Sequence, residues 1–157
     1  MDEAIMSLFF DFYGEVGLST PEIPDVIASA IAGSVSASGT IHREGMDIEA
    51  HAVAGEEDST GRHFGFDERV TAAFTFGNRA SPGIRDHNTV LMVVAVLAVF
   101  DHAPGRGVLL ANGSRAIVQR LGKKIEFDAG WEDWTEIAGA RPVVARHAVR
   151  TLPQPLL

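Results

Sequence analysis

Apolar residues alternate with other types between Ile5 and Tyr13: Met6, Leu8, Phe10 and Phe12 share one side, and the opposite side is mixed, including Ser7 and Asp11. A period of two predicts a strand. Ser19-Thr20-Pro21-Glu22 then reads as a helix start, with a serine able to cap and a glutamate three residues on. Ile23, Val26, Ile27, Ala30 and Ile31 follow at helical spacing, and Gly33 ends the run. Residues 35–42 predict a second strand, turning through Arg43-Glu44-Gly45 into residues 46–53, where Met46, Ile48, Ala50 and Ala52 alternate. Residues 55–65 form a polar loop, and Val70, Ala72, Phe74 and Phe76 mark another strand.

Ser81-Pro82 or Asp86 opens the next element. Its valines at 90, 93, 94, 96 and 99 favour a strand by propensity. The stretch from Asp86 to Asp101 is too long for a single strand, however, and predicts a buried helix. From Gly107 onward, short apolar runs flank Asn112-Gly113 and then Gly122-Lys123. Asn-Gly suits a type I′ hairpin turn, whose two central residues both need positive φ, so a three-stranded antiparallel meander is expected. A helical turn near residues 132–137 follows, and Pro142, Pro153 and Pro155 predict an extended or irregular end from about residue 140. The order β-α-β-β-β-α-β-β-β, with no linker and no internal repeat, predicts one α+β domain over residues 1–157. It would have an antiparallel sheet of about six to seven strands with two helices on one face.

Bulk properties narrow the function classes. The chain has no cysteine, which excludes disulfides, thiolate nucleophiles and thiolate zinc sites. The N-terminus lacks a basic region and a cleavage site, and the apolar run 90–100 is short for a membrane span, so a cytoplasmic protein that does not engage a membrane is expected. The net charge of −8 is lopsided: residues 1–78 hold 14 acids against 3 Lys/Arg, and residues 79–157 hold 7 against 10. Such a surface repels nucleic acid and favours basic partners.

No residue set reads as a catalytic constellation. Asp47, Glu49 and His51 stand at i, i+2 and i+4 on one strand, with His42 on the strand before. Carboxylate and imidazole would suit a divalent metal, but alternation with Met46, Ile48 and Ala50 marks the solvated face of a half-buried strand. The six histidines show no paired ligand spacing, and no serine sits in a nucleophile elbow. Trp131 and Trp134 stand among Glu132, Asp133 and Glu136; they either close the core or anchor a basic partner. Glu56, Glu57 and Asp58 in the polar loop are the other candidates for partner binding. No cofactor and no metal site is expected.

The strand ERVTAAFTF, the helix TVLMVVAVLAVF, the strands GVLLANGS and AIVQRLGKKIEF and the Trp after them resemble small bacterial immunity proteins of the swarming-inhibition (Sit-type) toxin–immunity systems. Asn112-Gly113 and Arg120-x-Gly122 match the meander pattern of that family; Ala111 departs from it, and residues 55–65 and 141–150 have no counterpart in it. The resemblance implies a non-enzymatic protein that binds and neutralises a cognate toxin, itself basic if it acts on nucleic acid. The alternatives are a secretion-chaperone-like or other protein-binding α+β module, with the apolar helix at a homodimer interface, and a metal- or small-ligand-binding protein.

Overall fold

The computed structural model describes residues 8–54, 60–77, 81–155 and 157. The first strand, β1 (Leu8–Gly14), buries Phe10, Phe12 and Gly14 and turns Phe9, Asp11 and Tyr13 the other way, as its alternation predicts. Helix α1 (Glu22–Ile31) begins on a capping box: the Ser19 backbone N–H donates to Glu22 Oε1 at 3.0 Å, and the Glu22 N–H donates to Ser19 Oγ at 3.3 Å. It stops through Ala32 at φ 55°, with the Gly33 N–H returning to the Ala28 carbonyl. Gly33 is needed for closeness: a Cβ there would stand 2.7 Å from Ile41 Cγ2.

The expected strand over 35–42 is instead a small hairpin, β2 (Ser34–Val35) against β3 (Ile41–Arg43). Ser36-Ala37-Ser38-Gly39 breaks the run: Gly39 takes φ 89° and its N–H bonds the Ser36 carbonyl at 2.9 Å. After β3 come β4 (Met46–Ala52), a short 3-10 helix η1 (Thr60–Phe64) and β5 (Val70–Phe76).

Helix α2 (Pro82–His102) is capped by Ser81 Oγ, which accepts the Ile84 N–H. Met92, Val93, Val96, Val99 and Phe100 recur at helical spacing and are buried. Then β6 (Gly107–Ala111), β7 (Arg115–Arg120) and β8 (Glu126–Asp128) form the predicted meander. Asn112 and Gly113 take φ 51° and 75°, and the Ser114 N–H reaches the Ala111 carbonyl, a type I′ turn. The end is less irregular than its prolines suggested. Helices α3 (Asp133–Glu136) and α4 (Arg141–Val144, with Pro142 in its first turn) lead to β9 (Ala148–Arg150), which pairs parallel with β8.

Among the described residues the strands make one nine-stranded sheet in the order β2-β3-β4-β5-β1-β6-β7-β8-β9, more strands than the six to seven expected. All pairings but the last are antiparallel. Helices α1 and α2 pack on each other and on one face of the sheet, and the main core lies between them and Phe10, Phe12, Ile48 and Phe74. On the opposite face a second, smaller core joins Val108, Leu110 and Ala116 to Phe66, with Phe64 and Tyr13 packed against it. Strand β6 is therefore buried on both faces, which explains its unbroken apolar run.

Candidate functional site: the open face of the sheet

The small second core covers the β6–β7 part of the face away from the helices and reaches β1 at Tyr13. Over the rest of β1, β4 and β5 that face is open among the described residues, and the strand register fixes what it displays. His42, Asp47, Thr75 and Phe9 make one cross-strand row. Glu49, Ala73, Asp11 and Leu110 make the next, and His51, Thr71, Tyr13 and Val108 the third. Residues directly opposite one another have Cβ atoms about 5 Å apart, so each row runs unbroken across β4, β5 and β1, and the second and third pass under the second core at Leu110 and Val108.

This strip pattern is acidic and aromatic. Asp11, Asp47 and Glu49 supply carboxylates, and β1, β4 and β5 contain no Lys or Arg. Asp47 Oδ1 lies 2.7 Å from His42 Nδ1 with both side chains largely in solvent. Burial pushes the Asp11 carboxyl up from its ordinary value. Tyr13 is also raised, by burial first and by the Asp11 charge second, against a hydrogen bond from Thr60 that lowers it. Phe9 is 44% exposed, an unusual amount for a phenylalanine in a central strand.

At the Gly14 end of the face, Glu15, Arg62, Asp67, Arg69 and Arg106 line a polar cleft of about 670 Å³. Arg106 closes on Glu15 through Nε at 2.8 Å and Nη2 at 3.1 Å, and donates to the Gly65 carbonyl through Nη1. The hydrogen bond from Arg106 holds the Glu15 carboxyl below the usual range. These groups tie β1, η1 and β6 together around the rim.

The residues singled out from the sequence fall in different places. Asp47, Glu49 and His51 do share one face of β4, but residues two apart on a strand are about 7 Å apart along it. They face Thr75, Ala73 and Thr71 across the ladder, and so spread over the surface rather than converge as metal ligands would. Glu56, Glu57 and Asp58 lie outside the described residues; Thr60, the first described residue after them, meets Tyr13 on the open face.

The tryptophans divide. Trp134 is 3% exposed and packs edge-on against Phe127 with centroids 5.2 Å apart, the core role. Trp131 is half-buried beside the β6–β7 turn, edge-on to Phe10, with the Arg115 guanidinium 5.5 Å over its ring. Arg115 is held there by the buried Asp128, 2.7 Å from Nη2, and a small cleft of about 250 Å³ opens beside the pair.

Phe9, Asp11 and Tyr13 were not singled out from the sequence. The alternation of β1 did put them on its second face; what it lacked was the strand order, which sets β1 between β5 and β6 and joins that face to β4.

Comparison with curated proteins and with solved structures returns no match. A family model described as SitI3-like matches residues 8–138, from the start of β1 to just beyond α3, and the chain belongs to that SitI3-like family, in keeping with its resemblance to the Sit-type immunity proteins.

Proposed function

We propose that this chain is a non-enzymatic immunity protein that binds a protein toxin and neutralises it by contact, in the cytoplasm, with the open sheet face as its docking surface. The observation that carries the reading is the SitI3-like match over residues 8–138. An immunity function needs a recognition surface rather than a reaction centre, and the face over β1, β4 and β5 has the makeup of one. Phe9 and Tyr13 supply rigid aromatic area of the kind that anchors interfaces. Asp11, Asp47 and Glu49 give it a single sign of charge, complementary to a basic partner. The 14 acids of residues 1–78, Glu56, Glu57 and Asp58 among them, would add long-range steering to that local complementarity. Trp131, edge-on to the core-facing Phe10 and with Arg115 over its ring, sits on the helix side of the sheet and is not part of this face.

The test is to isolate the tagged chain from its native host and identify by mass spectrometry what co-purifies. The reading expects one stoichiometric protein whose expression alone arrests growth and whose co-expression with this chain restores it. A stoichiometric partner that is harmless when expressed alone would overturn the immunity function.

A further inference from the structure

Strand β4 is incompletely paired along the edge it turns to β3. In an antiparallel ladder the N–H and C=O of one residue point to the same neighbour, and successive residues alternate. Val53, just after β4, donates to the Arg69 carbonyl on the β5 side, so Ala52, Ala50 and Ile48 present their backbone groups to the β3 side. Ile48 is met there by Ile41, and the Ala52 N–H donates to Thr20 Oγ1 at 3.2 Å. Between them β3 has already left the sheet: the Gly39 N–H turns back to the Ser36 carbonyl, and the Thr40 carbonyl accepts the Ser36 N–H. The Ala50 N–H and C=O therefore face outward with no hydrogen-bond partner among the described residues. They border a cleft of about 500 Å³, walled by Thr20 and Asp25 at the start of α1 and by Ser38 and Thr40 of the β2–β3 turn.

We propose that this cleft receives an arginine side chain of the protein partner, an inference that rests on the docking reading above and names what one part of the partner must carry. The cleft has two carboxylates, Asp25 and Glu49, and no Lys or Arg in its lining; His51 is its remaining titratable group. The Ala50 carbonyl adds a fixed acceptor, and Ser36, Ser38 and Thr40 add a chain of hydroxyls joined at 2.9 and 3.3 Å. A guanidinium is a rigid fork of five donors with no acceptor, which suits several acceptors set around one hollow. The Ala50 N–H is left for a main-chain carbonyl of the same segment. An added strand fits less well, because from Ile48 to Ala52 is only about 13 Å along β4, shorter than a usual strand. A metal ion fits less well too, since among the described residues no three His, Asp or Glu are grouped to hold one. Glu49 belongs at once to the cleft and to the second row of the open face, so a partner docked on that face can reach the cleft without a separate approach.

Titration of the full chain with N-acetylarginine amide, followed by amide nuclear magnetic resonance, tests the inference. The probe should shift the Ala50 amide and its neighbours saturably, with a dissociation constant in the millimolar range. N-acetylcitrulline amide has nearly the same shape without the charge and should bind about fivefold more weakly or worse. Asp25→Asn and Glu49→Gln, both exposed and close in size to the residues they replace, should each weaken the arginine probe and leave the rest of the spectrum in place. No saturable shift would overturn the inference. So would equal binding of the citrulline probe, indifference to both substitutions, or a saturable shift that leaves Ala50 unmoved. The titration uses this chain alone, so its failure would leave docking through the open face standing. Conversely, a co-purifying protein that proves harmless would overturn the immunity function without changing what the titration reads.

Discussion

Two ionic side chains, Arg120 and Asp128, show how single residues hold this molecule together. Arg120, the last residue of β7, serves the fold. Its Nε donates to the Gly105 carbonyl at 2.8 Å, Nη1 to Phe100 at 2.9 Å and Nη2 to Ala103 at 2.9 Å, and its guanidinium lies 4.4 Å over the Phe100 ring. Carbonyls at a helix C-terminus have no partner within the helix, and a planar fork of donors satisfies several at once. Arg120→Lys should therefore cost about 2 kcal/mol, measured by urea unfolding; wild-type stability would deny Arg120 this role. Asp128 is the second case. Burial alone would push its carboxyl up, but bonds from Arg115 and from the Leu152 and Gly130 backbone N–H groups outweigh it and hold the group below the usual range. A lowered folded value means that the unfolded chain binds more protons, so this contribution is present above about pH 4 and drains away as pH falls further. Asp128→Asn should cost about 2 kcal/mol at neutral pH, a figure discounted for the half-exposed Arg115, and the gap to wild type should close below about pH 4. A gap independent of pH would show that the charge is not what matters.

At the scale of elements, β1 and β6 meet through a glycine pair, Gly14 opposite Gly107, and the Phe12 ring lies across both. A Cβ on Gly107 would stand 2.7 Å from Phe100 Cε1 and 2.9 Å from Phe12 Cζ, in the centre of the core where Phe12 and Phe100 meet edge-on. Gly107→Ala should lower stability by about 1–3 kcal/mol, read as a drop in melting temperature, and a neutral result would mean that the core yields more easily than its packing implies. What the chain spells out locally is what could be read beforehand: the alternation of β1, β4 and β5, the Ser19–Glu22 box, the Asn112-Gly113 turn and the length of α2. What was missed depends on distant pairing or on short elements. Strand β9 is three residues long and reaches β8 only after α3 and α4 have crossed between them. Pro142, which by itself reads as a break, fits the first helical turn because its missing N–H has no partner to lose there. The open face was legible only strand by strand, because its three rows exist only once β4, β5 and β1 are set side by side.

At the scale of the molecule, a nine-stranded sheet has one face closed by helices, part of the other sealed by η1 and Phe66, and an acid-and-aromatic remainder left open. If that remainder steers a basic toxin, the association rate should fall about tenfold between low and physiological salt, while truncating the aromatic anchor, Phe9→Ala, should act mainly on dissociation. A rate unmoved by salt would remove the steering. The most direct measurement is growth rescue against the co-purifying toxin by the wild type, by Asp47→Lys/Glu49→Lys on the open face, and by Glu136→Lys on α3 away from it, with folding of each checked by circular dichroism. The proposed function predicts rescue by the wild type and by Glu136→Lys, and loss of rescue by the folded double variant. Full rescue by the double variant would contradict docking through this face.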